Sequence, residues 1–226
     1  RNTLDPGIEV VAPDLPGYGI EAKCTAYDLA RIVADLRACH GGQSILCGWS
    51  MGGLLAQYWA ALYPREVHGL VLLSSTPRFV AKDDWSHGMD LKLMSEFGVA
   101  VASDVGAALM RFSVLQAQGD VHARAVMRRL REVLSADRMP ASHTLMDGLE
   151  LLRETDLRAC SGAIRSPTLI IHGRQDRVCP VSAAEWLSGA ISGASLSIHE
   201  GASHAVFLSD PGRVGSEISA FVKSIH

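Results

Sequence analysis

The stretch Gly48-Trp49-Ser50-Met51-Gly52-Gly53 decides the fold of this chain. It follows the apolar run 44–47 and precedes segment 54–63, whose apolar residues recur at helical spacing. A strand, a sharp turn and a helix, with a serine at the turn and a glycine two residues to either side, form the G-x-S-x-G nucleophile elbow. The pattern predicts that Ser50 is a nucleophile held at the end of a strand.

The sharp turn at Ser50 restricts the backbone conformation and the side chains of the residues around it. We expect Ser50 to adopt a strained backbone conformation, and we expect side chains at Gly48 and Gly52 to collide with neighbouring backbone. The Met51 N–H then points to where an oxyanion would form on a carbonyl attacked by the serine. The elbow therefore predicts half of an oxyanion hole as well as the nucleophile.

Size and composition fit one soluble globular domain: 226 residues, of which 48% are hydrophobic and 20% charged. The net charge of −3 argues against general nucleic-acid binding. No run approaches the ~18 apolar residues of a membrane span, and no signal-peptide pattern is found. The five cysteines, Cys24 among them, are scattered, which argues against a disulfide framework or a zinc site and favours a reducing cytoplasm.

Strands and helices alternate up to about residue 75. Apolar runs predict buried strands, and apolar residues at helical spacing predict the helices between them. The predicted elements are strand 8–15, helix 26–39, the elbow strand and helix, and strand 67–75. This β-α-β-α-β order predicts an α/β fold with a parallel, doubly wound sheet.

The alternation stops between residues 76 and 160, where only helix-like segments occur. They cover approximately residues 90–97, 102–118, 121–134 and 142–153. The alternation resumes with strand 166–173, helix 181–190, strand 195–199 and helix 211–224. We therefore expect residues 1–75 and 161–226 to form an α/β core, with residues 76–160 inserted above the sheet edge.

An elbow serine needs a base to take its proton and an acid to orient that base. In folds with this elbow the chain order is serine, acid and histidine, with the acid and histidine on loops after late strands. Asp176 and His204 satisfy both conditions. Two other histidines, His172 and His199, lie within or at the end of strands, where we expect packing roles. Asp156 is a rival acid, but capping of a helical turn explains it.

With these residues in place, the chain resembles the α/β-hydrolases, and more narrowly the pimeloyl-[acyl-carrier-protein] methyl ester esterases of biotin synthesis. The loop Pro13–Gly19 is one that many α/β-hydrolases carry after an early strand. The narrower resemblance rests on the elbow and on stretches 74–79, 83–85, 148–152 and 155–158. Most of these stretches lie in the insertion, where general hydrolases diverge, so they discriminate better than the Ser-Asp-His set does.

The resemblance implies the α/β-hydrolase fold with residues 76–160 as a helical lid. It implies a cytoplasmic, monomeric carboxylesterase that acts on a pimeloyl methyl ester carried by acyl carrier protein, with no metal and no cofactor. It further implies an acyl-chain site formed by Trp49 and by Phe112, Ser113, Val114, Leu115 and Gln116.

In that family the lid carries a basic face that docks the acidic carrier protein. Arg111, Arg124 and Arg128 match carrier-contacting arginines of the family, and a fourth family position falls at Ala107. Residues 107–131 contain five arginines and only one acid, Asp120. Such a local excess of positive charge can steer an acidic partner. The alternative is an ordinary solvated helix face.

The chain departs from the family at its beginning. Family members start with further strands and a His-Gly-Trp-type loop that gives the second oxyanion N–H, and nothing before Arg1 supplies these. The corresponding strand would lie between strand 8–15 and the elbow strand. Because its absence would leave two strand edges unpaired in the core, we expect the 226-residue sequence to be an incomplete record of a longer protein.

Two other functions are compatible with the same residues. The first is a carboxylesterase or lipase for short free esters, which would use the same triad without a carrier protein. The second is a non-catalytic binding protein with a hydrolase fold, which the intact Ser-Asp-His set argues against. Haloalkane dehalogenases and epoxide hydrolases need an aspartate at position 50, so Ser50 excludes them.

Overall fold

The computed structural model describes residues 3–18, 27–132, 134 and 139–225. Gly19, Cys24, the start of the helix predicted from residue 26, and residue 133 of the helix predicted over 121–134 lie outside the described residues.

In the described part of the chain, four parallel strands form one sheet and follow each other in chain order across it. They are β1 (Ser44–Trp49), β2 (Val67–Leu73), β3 (Thr168–Gly173) and β4 (Ser195–His199). Among the described residues β1 pairs only with β2, so the elbow strand lies at one edge of the sheet. The carboxyl ends of all four strands share one rim, which is where such sheets build their sites.

Ten helices are found in the described ranges. Those outside the predicted insertion are α1 (Leu29–His40), α2 (Met51–Leu62), α8 (Val181–Ala190), α9 (Val206–Ser209) and α10 (Pro211–Ser224). Those between β2 and β3 are α3 (Leu91–Ser103), α4 (Val105–Ala117), α5 (Ala123–Glu132), α6 (Ser142–Glu154) and α7 (Arg158–Ser161). The α/β architecture with a parallel sheet predicted from the sequence is confirmed, and the short helices α7 and α9 were not predicted.

The two faces of β2 explain its near-continuous apolar sequence. Leu70 and Leu72 point into the core beneath α2, whereas Val71 and Leu73 point into the core beneath α10. All four are almost completely buried. Burying each such side chain contributes roughly 1.5–3 kcal/mol. Because both faces are covered, the strand carrying the serine is held against a rigid neighbour.

The strand predicted over residues 8–15 is wrong. These residues form no regular element and are mostly exposed, with Val10 at 42% and Val11 at 62%. A strand is stable only when a neighbouring strand satisfies its N–H and C=O groups. No described strand lies beside this segment, so its apolar composition alone does not make it a strand.

Candidate active site

Ser50 occupies a strained turn between β1 and α2. Its φ of 54° and ψ of −118° lie in a region that L-residues rarely adopt. The Ser50 N–H donates to Leu73 O at 3.0 Å, and the Ser75 hydroxyl donates to Ser50 O at 2.9 Å. Neighbouring β2 and the segment after it therefore hold the turn from both sides.

The glycines of the elbow differ in how much space a side chain would have at each position. A Cβ on Gly48 would lie 2.3 Å from Gly52 O, and a Cβ on Gly53 would lie 2.5 Å from the Ser75 side chain. A Cβ on Gly52 would meet no atom within 4 Å. The expectation of a collision at Gly52 is therefore wrong. The close approach falls one residue later, at Gly53, because that residue faces the segment following β2.

Ser50, His204 and Asp176 form a continuous hydrogen-bonded chain. His204 Nε2 lies 3.0 Å from Ser50 Oγ, and His204 Nδ1 lies 2.8 Å from Asp176 Oδ2. Because the carboxylate can only accept, Nδ1 carries the proton and Nε2 is free to accept the serine proton. The His204 and Asp176 side chains are fully buried. This geometry suits a base that activates a hydroxyl.

The loop after β3 fixes the acid. Asp176 Oδ1 accepts the backbone N–H groups of Val178 and Cys179, each at 2.8 Å. Burial raises the pKa of the Asp176 carboxyl, but the His204 charge and hydrogen bonds from His172 and His204 outweigh it. The pKa therefore lies well below its usual range, and the carboxylate stays ionised.

His172 contacts this carboxylate, which the sequence did not predict. Its Nε2 lies 2.8 Å from Cys179 O and 3.3 Å from Asp176 Oδ2. The packing role expected for this residue is therefore incomplete. The signal available was its position four residues before Asp176, across a turn that folds back on the strand end. His199, at the end of β4, instead faces Glu217 at 3.1 Å.

Trp49 lies directly against His204, the candidate base. Its indole N–H donates to His204 O at 3.0 Å, and its ring centroid is 5.3 Å from the imidazole centroid. The same ring makes an edge-on contact with Phe207 at 5.1 Å. Trp49 therefore fixes both the backbone and the ring of His204.

The predicted acyl-chain residues of α4 are placed in different environments. Phe112 stacks on Phe97 at 5.0 Å, Leu115 packs against the main core, and Val114 is half exposed. Ser113 and Gln116 are buried; the Ser113 hydroxyl accepts Arg131 Nε–H, and Gln116 O accepts His204 N–H. Of this set, Gln116 is joined by a hydrogen bond to a residue of the Ser-His-Asp chain.

The arginines of residues 107–131 lie on the surface of the insertion. Arg124, Arg128 and Arg131 line an open groove on α5 together with Met127 and Glu132, and Arg111 is exposed on α4. Glu132 pairs with Arg129 at 3.1 Å and lies 3.8 Å from Arg128. The single acid of residues 107–131, Asp120, is buried and does not offset the surface charge.

Asp156, the alternative candidate for the acid, is ion-paired with arginines away from His204. Its carboxylate accepts the Arg158 N–H at the start of α7 and pairs with the guanidinium groups of Arg158 and buried Arg78. The hydrogen bond from Arg158 strongly lowers the pKa of Asp156. This carboxylate therefore belongs to an ion-pair network and not to the Ser50–His204 chain.

Within the described ranges, one group of side chains has donor atoms close enough together to hold a metal ion. It comprises Asp176, Cys179 and His204, whose ligand atoms lie within 4.8 Å of one another. Asp176 and His204 are hydrogen-bonded to each other, and burial raises the pKa of the Cys179 thiol well above its usual value. A neutral buried thiol is a poor ligand, so the arrangement fits an acid–base pair better.

Comparison with known proteins agrees with this geometry. A sequence model of the family described as alpha/beta hydrolase fold matches residues 2–211. The chain belongs to the α/β-hydrolase family. The hydrolase is 37% identical over 213 residues to a pimeloyl-[acyl-carrier protein] methyl ester esterase of Stenotrophomonas maltophilia (strain R551-3), covering 94% of this chain and 82% of that protein. It is 36% identical over 229 residues to the protein of that name from Xanthomonas oryzae pv. oryzae (strain MAFF 311018), covering 98% and 87%. The resemblance expected from the sequence is therefore confirmed.

Solved structures give the same fold. An esterase from Exiguobacterium antarcticum superposes with a TM-score of 0.83 at 26% identity, covering 93% of the hydrolase and 80% of that chain. A bromoperoxidase from Bacillus anthracis reaches the same TM-score at 19% identity over the same shares of the two chains, which supports the fold alone. Among the described helices of the hydrolase, none has the length and apolar character needed to cross a membrane.

Proposed function

We propose that this hydrolase is a serine carboxylesterase that cleaves the methyl ester of a pimeloyl-type acyl chain carried on acyl carrier protein, a step in biotin synthesis. The observation that carries the proposal is the hydrogen-bonded chain from Ser50 through His204 to Asp176, with distances of 3.0 and 2.8 Å. Relatives named for this reaction, at 34–37% identity over nearly the whole chain, support the substrate.

The first half of the reaction forms an acyl-enzyme. Ser50 Oγ attacks the ester carbonyl carbon while His204 Nε2 takes the hydroxyl proton, and Asp176 stabilises the resulting imidazolium. The oxyanion accepts the Met51 N–H at the start of α2, where the helix dipole favours negative charge. The carbon–oxygen bond to the methoxy group then breaks as His204 protonates the departing methoxide oxygen, and methanol leaves.

The second half frees the acid. Water attacks the acyl carbon as His204 removes its proton, and the bond to Ser50 Oγ breaks as His204 returns that proton to the serine. The carboxylic acid released then ionises. Each proton moves between groups named here, so the sequence of steps is complete without a metal or cofactor.

The remaining assignments form part of the same proposal. Residues 76–160 act as a lid on the core of residues 1–75 and 161–226, and Trp49 with residues 112–116 accommodates the acyl chain. Arg111, Arg124 and Arg128 contact the carrier protein, supported by their exposure and by the groove on α5. The protein acts as a cytoplasmic monomer.

Replacement of the nucleophile tests the mechanism. Ser50→Ala in the full-length protein should abolish methyl ester hydrolysis while carrier binding persists, because the hydroxyl is the attacking atom. Hydrolysis of the carrier-bound methyl ester is measured by mass, and binding by titration with the acyl carrier protein. Substantial turnover by the variant would remove Ser50 from the mechanism.

Charge reversal on α5 tests whether the substrate is carried by acyl carrier protein. The double variant Arg124→Glu/Arg128→Glu should lose about tenfold or more in kcat/KM on the carrier-bound ester, because it removes electrostatic steering. Hydrolysis of a small p-nitrophenyl ester should stay near the wild-type rate. The matched control is Arg65→Glu, an exposed arginine before the amino end of β2, opposite the site. This control should behave as wild type on both substrates.

The alternative is a carboxylesterase for short free esters, which would use the same Ser50, His204 and Asp176 without a carrier protein. Equal effects of the double variant on both substrates would support this alternative. A non-catalytic binding protein would fail to react with a fluorophosphonate probe, whereas either esterase would be labelled at Ser50.

A further inference from the structure

Asp120 is a buried carboxylate in the turn between α4 and α5. Its side chain accepts hydrogen bonds from both sides of that turn. Oδ1 accepts from the His122 N–H at 2.7 Å and from the Ser209 hydroxyl at 2.9 Å, and Oδ2 accepts from the Ser203 N–H at 2.9 Å. Oδ2 also accepts from the Ser203 hydroxyl at 3.2 Å. Three of these four donors belong to residues 201–209, the base segment that carries His204. The carboxylate therefore joins the helical insertion to the residue preceding the base.

Local capping does not account for the burial of this group. Asp104 caps the preceding helix through the Ala107 N–H at 2.9 Å and remains exposed. Asp120, by contrast, is only 7% exposed, and none of the ion pairs among the described residues includes it. A buried carboxylate without a cation is costly, and its hydrogen bonds offset that cost only in part. Its position is explained by the neutral donors of the base segment.

Further hydrogen bonds connect the same turn to the same segment. Gln116 O accepts from the His204 N–H at 3.2 Å and lies 2.6 Å from the Ser203 hydroxyl. The Val121 N–H donates to Gly201 O at 2.9 Å. Together with Asp120, these contacts attach the backbone of the base segment to the α4–α5 turn.

The cores on either side of the contact also pack together. Val126 and Leu130 of α5 share a cluster with Ala205, directly after the base, and with Trp49. The α5 helix that bears Arg124 and Arg128 therefore rests on the segment that contains His204. A displacement of the turn would move the imidazole relative to Ser50 Oγ.

We infer that Asp120 is a positioning residue for the base His204. This inference rests on the proposed function, since it assigns to Asp120 the task of holding the imidazole where it can take the Ser50 proton. Asp120 touches neither the serine nor the substrate. It acts through Ser203, whose backbone it fixes, so that His204 Nε2 stays within hydrogen-bond reach of Ser50 Oγ.

The test compares three variants with a matched control. Asp120→Ala removes both acceptor oxygens, Asp120→Asn keeps one, and Ser209→Ala removes one donor. The control is Asp104→Ala, which removes the corresponding helix cap without touching the base segment. For each full-length variant we would measure turnover of a small p-nitrophenyl ester per fluorophosphonate-titrated site, the rate of fluorophosphonate labelling, and thermal unfolding.

Asp120→Ala should lower kcat per titrated site by about 10²-fold with KM changed by less than about twofold, because misplacement of about an ångström costs that much in rate. The labelling rate should fall in parallel, since the same proton transfer activates Ser50 for both reagents. Asp120→Asn and Ser209→Ala should show smaller losses of the same kind, and Asp104→Ala should keep the wild-type kcat.

Two outcomes would overturn the inference. One is a wild-type kcat per titrated site in Asp120→Asn and Ser209→Ala, together with an Asp120→Ala variant whose activity falls only in proportion to the protein that has unfolded. The other is an equal loss in Asp104→Ala. The small ester keeps this test independent of carrier recognition. If the wild type itself neither hydrolyses the ester nor reacts with the probe, the proposed function fails first, and the inference falls with it.

Discussion

His172 Nε2 lies 3.3 Å from Asp176 Oδ2, so the carboxylate that orients His204 is in contact with a second buried histidine. Both neighbours of this nitrogen, Cys179 O and the carboxylate, are acceptors, and Nε2 therefore carries the proton. Within the described ranges His172 Nδ1 has no hydrogen-bond partner. Among the described residues, the His172 ring is therefore held through Nε2, and this nitrogen also directs its N–H toward the Asp176 carboxylate.

Replacement of His172 should slow catalysis. His172→Phe keeps the volume of the ring but removes a donor to Asp176, and we expect kcat on a small ester to fall by up to about tenfold, the value of one hydrogen bond. KM should change little, because the His172 side chain is fully buried. The control is His199→Phe, which removes a buried histidine that pairs with Glu217 instead. If both variants lose the same activity, the effect is on folding and not on the acid.

The elbow glycines should respond very differently to alanine. Gly48→Ala places a Cβ 2.3 Å from Gly52 O, and we expect a loss of about 1–3 kcal/mol in unfolding free energy together with most of the activity. Gly52→Ala meets nothing within 4 Å and lies in the first turn of α2, so its stability should be unchanged or higher by about 0.5 kcal/mol. Urea unfolding of both variants gives the comparison. A stable Gly48→Ala would mean that the elbow can widen.

Stability should depend on pH through Asp156. Hydrogen bonds from Arg158 and Arg78 and the charge of Arg158 lower its pKa in the folded protein. Its contribution is therefore complete above the ordinary carboxyl pKa of about 4 and declines as the pH falls below that value. Asp156→Asn should cost about 2–3 kcal/mol at pH 7, since it leaves buried Arg78 without its anion.

The difference between wild type and Asp156→Asn should shrink as the pH is lowered from 5 to 2, because only the wild type loses this interaction on acidification. Thermal unfolding at several pH values measures it. A constant difference across that range would show that the Asp156 charge contributes nothing. Asp84→Asn is a suitable control, because Asp84 pairs with Arg158 at the surface and its loss should cost much less.

Trp49 offers a test of base orientation without a change of charge. Trp49→Phe retains an aromatic ring beside His204 but removes the indole N–H that donates to His204 O. We expect a severalfold fall in kcat and a stability loss of about 1 kcal/mol, the usual value of one hydrogen bond. Steady-state kinetics with a small ester and calorimetry measure the two effects. An unchanged kcat would assign Trp49 to packing alone.

The regular elements were largely predictable because their signals are local. The apolar run of β2 and the helical spacing of α2 each appear within a dozen residues, and the elbow motif fixes how strand and helix join. The prediction of a strand over residues 8–15 failed for the opposite reason. An apolar run becomes a strand only if another strand lies beside it. That information is not contained in the segment.

The candidate site was predictable to the extent that chain order and loop position specify it. Ser50, Asp176 and His204 each follow a strand of the sheet, and parallel strands bring such loops to one rim. The contacts of His172 and Asp120 were not predictable, because they depend on how a turn folds back and on which loop the insertion touches. In sequence Asp120 is only one acid among arginines, whereas in the fold it is buried.

The attachment of the α4–α5 turn to the base segment also bears on how this enzyme family can be recombined. A chimera that exchanged residues 76–160 for those of a relative would replace Gln116 and Asp120 while keeping the segment with Ser203 and His204. The graft would thus change the support of the proposed base His204 as well as the surface proposed to meet the substrate. Exchanging the insertion and the base segment as one unit would keep that support matched.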